Sequence, residues 1–512
     1  MKDIHHASPL VRSLDKLPQD FTRNDILGVI RKRNIRSVHF RYPAADGKLK
    51  ELKFPVNDLK DMESVLTDGE RVDGSSLFKG MVDPGASDMY VVPMYRTAFI
   101  NPFVPDCLDI LCRFLDAKGE PSAFTPDNIL ARSDQVFKDK TGCELHALGE
   151  LEFYLIYPGE KDLYPGRSQA LYHESAPFVK WNDLTEDILR ISAEICGGVK
   201  YCHSEVGYIQ PSHDDFPEVR GKCMSQYELE FLPAPLPEAA GRLLVAKWLI
   251  RNLAARAGVL VSFAPKLNVG DAGSGMHVHL SVKKQGRNVL TDQKGGLTPE
   301  AMGVIGGLLK GARSLTAFGN TCAASYLRLV PHQEAPVRVC WSASNRSVLV
   351  RVPLGWRGVG NLASRVNPNQ SGPSITDGFG QTVEIRSPDG SADVYLLLAG
   401  LGAAVRHGLT HTEESHQLAK RLEVQRNIFD DRKALDQLDS LPRSCVESAE
   451  CLRQDRALYE AEGVFPKQTI EYCRRRLEAE KDADLARKLR KMGPRPRMEA
   501  TRRLMLASLH CM

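Results

Sequence analysis

No two cysteines in this chain have the CxxC spacing of a zinc or redox motif. The twelve cysteines are scattered, with Cys107 and Cys112 the closest together. This excludes a cysteine-rich zinc site, and in so long a chain it argues for reduced thiols in the cytoplasm rather than a disulfide frame. No run approaches the roughly 18–20 apolar residues that span a bilayer. The opening MKDIHHASPLVRSLDKLPQDF has no apolar signal core, so neither a membrane span nor export is expected. Internal repeats and low-complexity tracts are absent too. Net charge is only +4 over 512 residues and implies no nucleic-acid partner. The one basic run, ARKLRKMGPRPRMEATRRLM at 486–505, reads as a solvated helix and tail.

The remaining composition is that of an ordinary globular protein, 42% apolar and 26% charged. The length exceeds one core and predicts at least two domains. Residues 1–22 read as a loose lead-in. RNDILGVIRKRN (23–34) has helical spacing. SVHFRYPAADGKLKELKFPV (37–56) is two alternating runs around Ala-Asp-Gly, the pattern of a hairpin. RVDGSSLFKG (71–80) reads as a loop and MYVVPM (89–94) as a strand. These make an α+β domain over 23–120, followed by a larger domain over 121–480 and a basic tail over 481–512. Helices are predicted at 126–139, 183–196, 236–257 and 298–318, with a mostly helical stretch from about 411.

Five short segments of the larger domain share one peculiarity. GELEFYL (149–155), QYELEFL (226–232), GMHVHLSV (275–282), SVLVRVP (347–353) and TVEIRSP (382–388) place charged or imidazole side chains at alternate positions. Alternate residues of a strand share a face. Glu150 therefore projects with Glu152, His277 with His279, and Glu384 with Arg386, while Leu, Phe, Val and Ile form the back. Such a front is costly unless cations and anions neutralise it. Taken singly, each Glu reads as a solvated strand residue; five strands with the same pattern read as a site.

Glu150, Glu152, Glu205, Glu228 and Glu384 with His277 suit Mg²⁺ or Mn²⁺ better than thiolate-seeking metals. Six ligands are too many for one such ion and natural for two that clamp a phosphoryl group. GDAGSGMHVHLS (270–281) sets a glycine-rich approach, including Gly273, directly before His277, His279 and Ser281. Arg328, Arg338, Arg346 and Arg351 cluster over 325–353, and arginine is suited to bidentate capture of carboxylate and phosphate. Glu334, in a segment with little regular pattern between Pro331 and Pro336, reads as a lid residue.

Seven motifs, RVDGSS, GELEFYL, HSEVG with QYELEF, GSGMHVHLS, SYLRLVPHQEAP, NRSVLVRVP and VEIRSPD, occur in the order found in the glutamine synthetases. Over roughly 23–475 the chain resembles that family, and it looks nearest to the bacterial type I class. The resemblance implies an N-terminal β-grasp domain and a catalytic domain with a curved antiparallel sheet and surrounding helices. It implies a cytoplasmic ATP-dependent ligase that phosphorylates the γ-carboxylate of glutamate and condenses it with ammonium. Glu152, Glu205 and Glu228 would hold the first metal, with Glu150, His277 and Glu384 on the second. Arg328 would take the α-carboxylate, Arg346 and Arg351 the transferring phosphate, and Arg386 the γ-carboxylate. Glu334 would close over the intermediate, and His279 and Ser281 would border ATP. Asp73 and Tyr172 resemble the residues of the ammonium pocket, with Asp73 supplied by a neighbouring subunit of a dodecamer built from two hexameric rings.

The pattern is not complete. Ala272 stands where the family usually has Asn, Lys200 where an acidic residue often lies, and Thr382 where a basic one does. Glu230 shares a strand face with Glu228 and competes with it for the ligand role. The alternatives are a γ-glutamyl ligase for another amine, such as a polyamine, and a non-catalytic structural relative. The complete ligand set argues against the last.

Overall fold

The computed structural model describes residues 6–511, apart from 83–84, 86, 160–162, 212–215, 293, 331–334, 356–360, 373–379 and 426–436. In the first domain β1 (Ser37–Pro43), β2 (Leu49–Pro55), β3 (Glu70–Asp73), β4 (Asp88–Pro93), β5 (Phe99–Ile100) and β6 (Cys107–Leu115) form one sheet. Its order is β2-β1-β6-β4-β3, with β5 on β6; β1 and β6 run parallel. Alternation along β1 explains how the domain has two buried faces. Val38 and Phe40 enter the domain's own core with Ile110 and Phe114. On the other face Arg41 pairs with Asp109 at 2.9 Å and lies 4.4 Å over the Trp248 ring of the larger domain. That cation–π contact and the paired carboxylate make burial of the guanidinium tolerable.

The larger domain is built on β7 (Glu144–Pro158), β8 (Val199–Ile209), β9 (Lys222–Phe231), β10 (Ala234–Pro235), β11 (Leu260–Ser262), β12 (Val278–Lys284), β13 (Arg287–Asn288), β14 (Trp341–Ala343), β15 (Val350–Val352) and β16 (Val383–Ile385). The sheet order is β14-β15-β16-β12-β7-β9-β8, and its main path is antiparallel except for β14 with β15. Leu151, Phe153 and Leu155 of β7 enter the main core, where helix Leu236–Arg256 also buries Leu243, Val245 and Leu249. Glu150 and Glu152 are left on the opposite, concave face. Helices Pro299–Gly319 and Val394–Thr410 complete the layer behind the sheet; both are apolar nearly all round and correspondingly buried.

The hairpin at 37–56 and the helices predicted from 126, 183, 236 and 298 all form, as Pro126–Thr141, Asn182–Cys196, Leu236–Arg256 and Pro299–Gly319. Three expectations are corrected. The lead-in is not loose throughout: Pro9–Leu14 is a helix, and Leu10 and Val11 are buried in the first domain's core. RVDGSSLFKG is β3 followed by a helical turn, Gly74–Leu77, rather than a loop, because the Asp73 carboxylate caps that turn. The basic tail is not merely solvated. Leu506 of helix Pro494–Ala507 and Leu509 just beyond it pack on Tyr154, Ile156 and Leu267. The arginines dominate its sequence pattern, while only a few apolar residues anchor it.

Candidate active site

Strand pairing assembles the concave face. In the β7–β9 register Glu152 lies opposite Glu228, and Glu150 opposite Glu230. Like charges directly across a ladder repel, so this arrangement persists only with positive charge nearby. Below the first pair, β8 contributes His203 and Glu205. His203 Nε2 is 3.2 Å from Glu228 Oε1 and its Nδ1 is 3.9 Å from Glu205 Oε1. Ligand atoms of His203, Glu205 and Glu228 all fall within 4.8 Å of one another.

Around the second pair, β12 and β16 supply imidazoles and a carboxylate. Glu150 contacts His277 Nδ1 at 2.9 Å and His279 Nε2 at 2.8 Å. Glu384 lies opposite His279 in the β12–β16 register and 3.6 Å from His277 Nδ1. Arg351 and Arg386 each reach Glu384 at 3.0 Å. Glu150, His279 and Glu384 form a second ligand-spaced group. These residues, with Arg328 and Arg346, line a cavity of about 710 Å³.

The electrostatics divide the carboxylates. Burial pushes the Glu228 carboxyl well up, and Glu150, Glu152, Glu205 and Glu230 push it further. Glu152 is also raised by burial and by Glu205, although it accepts from Gly275 N at 2.8 Å and Gln226 Nε2 at 3.0 Å. Burial opposes charge on Glu150 too, but His279 and His277 outweigh it and hold that carboxyl well below the usual range. A carboxylate driven toward protonation by its neighbours is a group that a divalent cation would restore to its charged form. With oxygen and imidazole donors, the cluster fits Mg²⁺ or Mn²⁺.

Arg328 crosses the floor. It is buried, donating to Ser387 O at 2.9 Å and approaching His277 Nε2 at 3.2 Å. Its path contributes to the need for glycines before His277: a Cβ on Gly273 would lie 2.5 Å from Pro265 O and 2.9 Å from Arg328 Cγ, and one on Gly275 would lie 2.7 Å from both Arg328 Nη2 and His277 Nε2. Ala272 carries the backbone carbonyl that accepts from Tyr154 OH at 2.9 Å.

Glu150, Glu152, Glu205, Glu228, His277, His279, Glu384, Arg328, Arg346, Arg351, Arg386, Gly273 and Tyr172 therefore share one cavity. Ser281 is buried further along β12, away from the lining. Asp73 is exposed on the first domain. Its carboxylate accepts from Ser76 Oγ at 2.6 Å and Ser75 Oγ at 2.7 Å, bonds that hold it below the usual carboxylate range. Glu334 lies outside the described residues. His203 is not among the residues expected from sequence, although it stands two residues before Glu205 on one strand, which is the spacing that reveals the other pairs. Nor is Gln226, whose amide braces Glu152; only the three-dimensional register brings those two together.

A β-grasp sheet joined to a larger curled sheet with this carboxylate, imidazole and arginine face defines a two-domain enzyme class. The glutamine synthetase β-grasp domain matches residues 34–125, and the glutamine synthetase catalytic domain matches 124–485. The chain belongs to the glutamine synthetase family. It is 29% identical over 454 residues to the glutamine synthetase of Clostridium saccharobutylicum, covering 86% of this chain and 92% of that protein. Identity to the Methanococcus voltae glutamine synthetase is also 29%, over 456 residues, with the same two coverages. Among solved structures, a GmaS/ADP complex aligns with a TM-score of 0.70 at 19% identity, covering 92% of this chain and 98% of that one. GmaS without ligand aligns at 0.67 and 20%, covering 93% and 98%. Among the described residues, no helix is long and apolar enough to cross a membrane.

Proposed function

We propose that this chain is an ATP-dependent ligase that joins the γ-carboxylate of glutamate to ammonium, giving glutamine, ADP and phosphate. The observation that carries this reading is a single cavity in which buried acidic and imidazole clusters face four arginines. A carboxylate is a poor acyl donor, because oxide would have to leave. Phosphorylation by ATP converts it to an acyl phosphate, and the amine then displaces phosphate.

Arg328, held by Ser387 O, receives the α-carboxylate of glutamate. Arg386, fixed against Glu384, orients the γ-carboxylate. Arg346 and Arg351 neutralise the phosphoryl group as its charge spreads. His279 borders the nucleotide at the end where Thr382 Oγ1 meets its Nδ1 at 3.0 Å, with Ser281 behind it. Two or more Mg²⁺ or Mn²⁺ ions, held by Glu152, Glu205 and Glu228 and by Glu150, His277 and Glu384, would supply Lewis-acid charge for the phosphates. Glu334 closes over the acyl phosphate, keeping water out and accepting a proton from ammonium. Asp73 of a neighbouring subunit and Tyr172 complete the ammonium pocket, so the active unit is a homo-oligomer, a dodecamer of two hexameric rings, in the cytoplasm.

A second amine reading is favoured by one observation. Tyr172, half exposed, stacks on His173 at 4.2 Å and meets His203 edge-on at 5.6 Å. Such a ring wall beside Glu205 suits an amine bearing carbon substituents as well as ammonium. Purified protein given ATP, Mg²⁺, glutamate and a panel of amines separates the readings. Phosphate release with ammonium in preference to methylamine or polyamines supports glutamine synthesis. Release only with a larger amine overturns it in favour of the sister ligase.

A further inference from the structure

The two like-charged pairs across β7 and β9 are neutralised differently. In the Glu152–Glu228 pair, Glu228 forms a ligand-spaced group with His203 and Glu205. In the other pair, Glu150 has His277 and His279. Glu230 has neither imidazole, and its carboxylate is buried, only 2% exposed. Ligand atoms of Glu150, Glu228 and Glu230 lie within 4.8 Å of one another, the spacing of a further cation position. Glu230 Oε2 is itself buried.

A cation from the chain already reaches this place. Lys200 Nζ lies 2.8 Å from Glu230 Oε1 and 4.8 Å from the centre of the Tyr201 ring. The β8–β9 register shifts between Val199 and Tyr201, so Lys200 is the extra residue of a bulge. A bulge breaks the alternation of a strand and re-aims a side chain. Here it brings Lys200 to the cavity and to Glu230.

We infer that the Lys200 ammonium is a fixed internal cation that holds the Glu150–Glu228–Glu230 position against a third divalent ion. An ammonium has three donors. One satisfies Glu230, and the others remain for an anionic oxygen of a phosphorylated ligand in the cavity. The arrangement limits the metal count to the ions of the other two groups and supplies the third cation covalently. The inference rests on the metal-dependent reading of the site.

Mn²⁺ alone, titrated into the full-length protein and followed by calorimetry and by the loss of free-ion electron paramagnetic resonance signal, tests it. The wild type is expected to bind two ions per chain and Lys200→Met three. Lys200→Arg, which keeps the charge, should return to two, as should the Lys200→Met/Glu230→Gln double variant. Lys200 is partly exposed, and circular dichroism checks that each variant is folded. Two ions in wild type and still two in folded Lys200→Met overturn the inference while leaving the metal reading intact. A third ion that persists in the double variant overturns it as well. A wild type that binds no Mn²⁺ overturns the metal reading and this inference together.

Discussion

Burying Lys247 in helix Leu236–Arg256 removes most of its reason to stay charged. Loss of water, with Arg251 adding repulsion, brings its pKa down to about 7, while its Nζ donates to Gly390 O at 2.7 Å. In the unfolded chain a lysine holds its proton to about 10.4. Between these values the unfolded state binds more protons, so the Lys247 contribution to stability rises with pH across that window. It is fully present only above the unfolded value and is lost as pH falls through about 7. Lys247→Met removes this term. Its stability relative to wild type should be highest near pH 7 and decline toward pH 10. Denaturant unfolding of both proteins across that range checks the slope, and a difference independent of pH contradicts it.

At the scale of elements, close backbone approach decides where substitution is tolerated. Helices Pro299–Gly319 and Val394–Thr410 meet through Gly303, Gly307 and Gly408, and a Cβ on Gly408 would collide with Gly303 O and the Gly307 backbone. Gly408→Ala gains about 1 kcal/mol of helix propensity but forces a backbone shift costing up to about 3. A net loss of up to about 2 kcal/mol is expected in chemical denaturation.

The strands show how far sequence carries. Period-2 alternation identified Glu150 with Glu152 and His277 with His279, because a strand face is a local property. Which carboxylate lies opposite which is not local. The pairing of Glu150 with Glu230, and of His203 with Glu228, depends on register and on a bulge that alternation cannot show. The buried lead-in helix was missed for a related reason: two apolar residues, Leu10 and Val11, anchor it, too few to make a periodic signal. Gly273 was visible as part of a glycine-rich loop, but its steric need comes from the fold, which brings Pro265 O and the Arg328 side chain against it.

For the whole molecule, the C-terminal tail ties a distant segment to the cavity. Arg502 Nη1 donates to Asn268 Oδ1 at 2.6 Å, and Asn268 Nδ2 donates to Asp271 Oδ2 at 2.6 Å. Asp271 immediately precedes Ala272 and Gly273, which line the cavity. Ser262 Oγ and Arg251 Nη2 hold the last residues through Leu509 O at 2.7 Å and Cys511 O at 2.6 Å. Removing residues 485–512 exposes the face on which Leu506 and Leu509 pack, each worth about 1.5–3 kcal/mol of burial. A lower Tm and a raised KM for glutamate are expected. Arg502→Ala in the full chain should raise that KM severalfold with little change in Tm, as seen by parallel kinetics and thermal melts.

The proposed reaction transfers the ATP phosphoryl group to the glutamate γ-carboxylate before amine attack. Glutamate labelled with ¹⁸O in that carboxylate, turned over with ATP and ammonium, tests it in one measurement by mass spectrometry of the released phosphate. One labelled oxygen is expected in each phosphate formed. Phosphate released without label contradicts it.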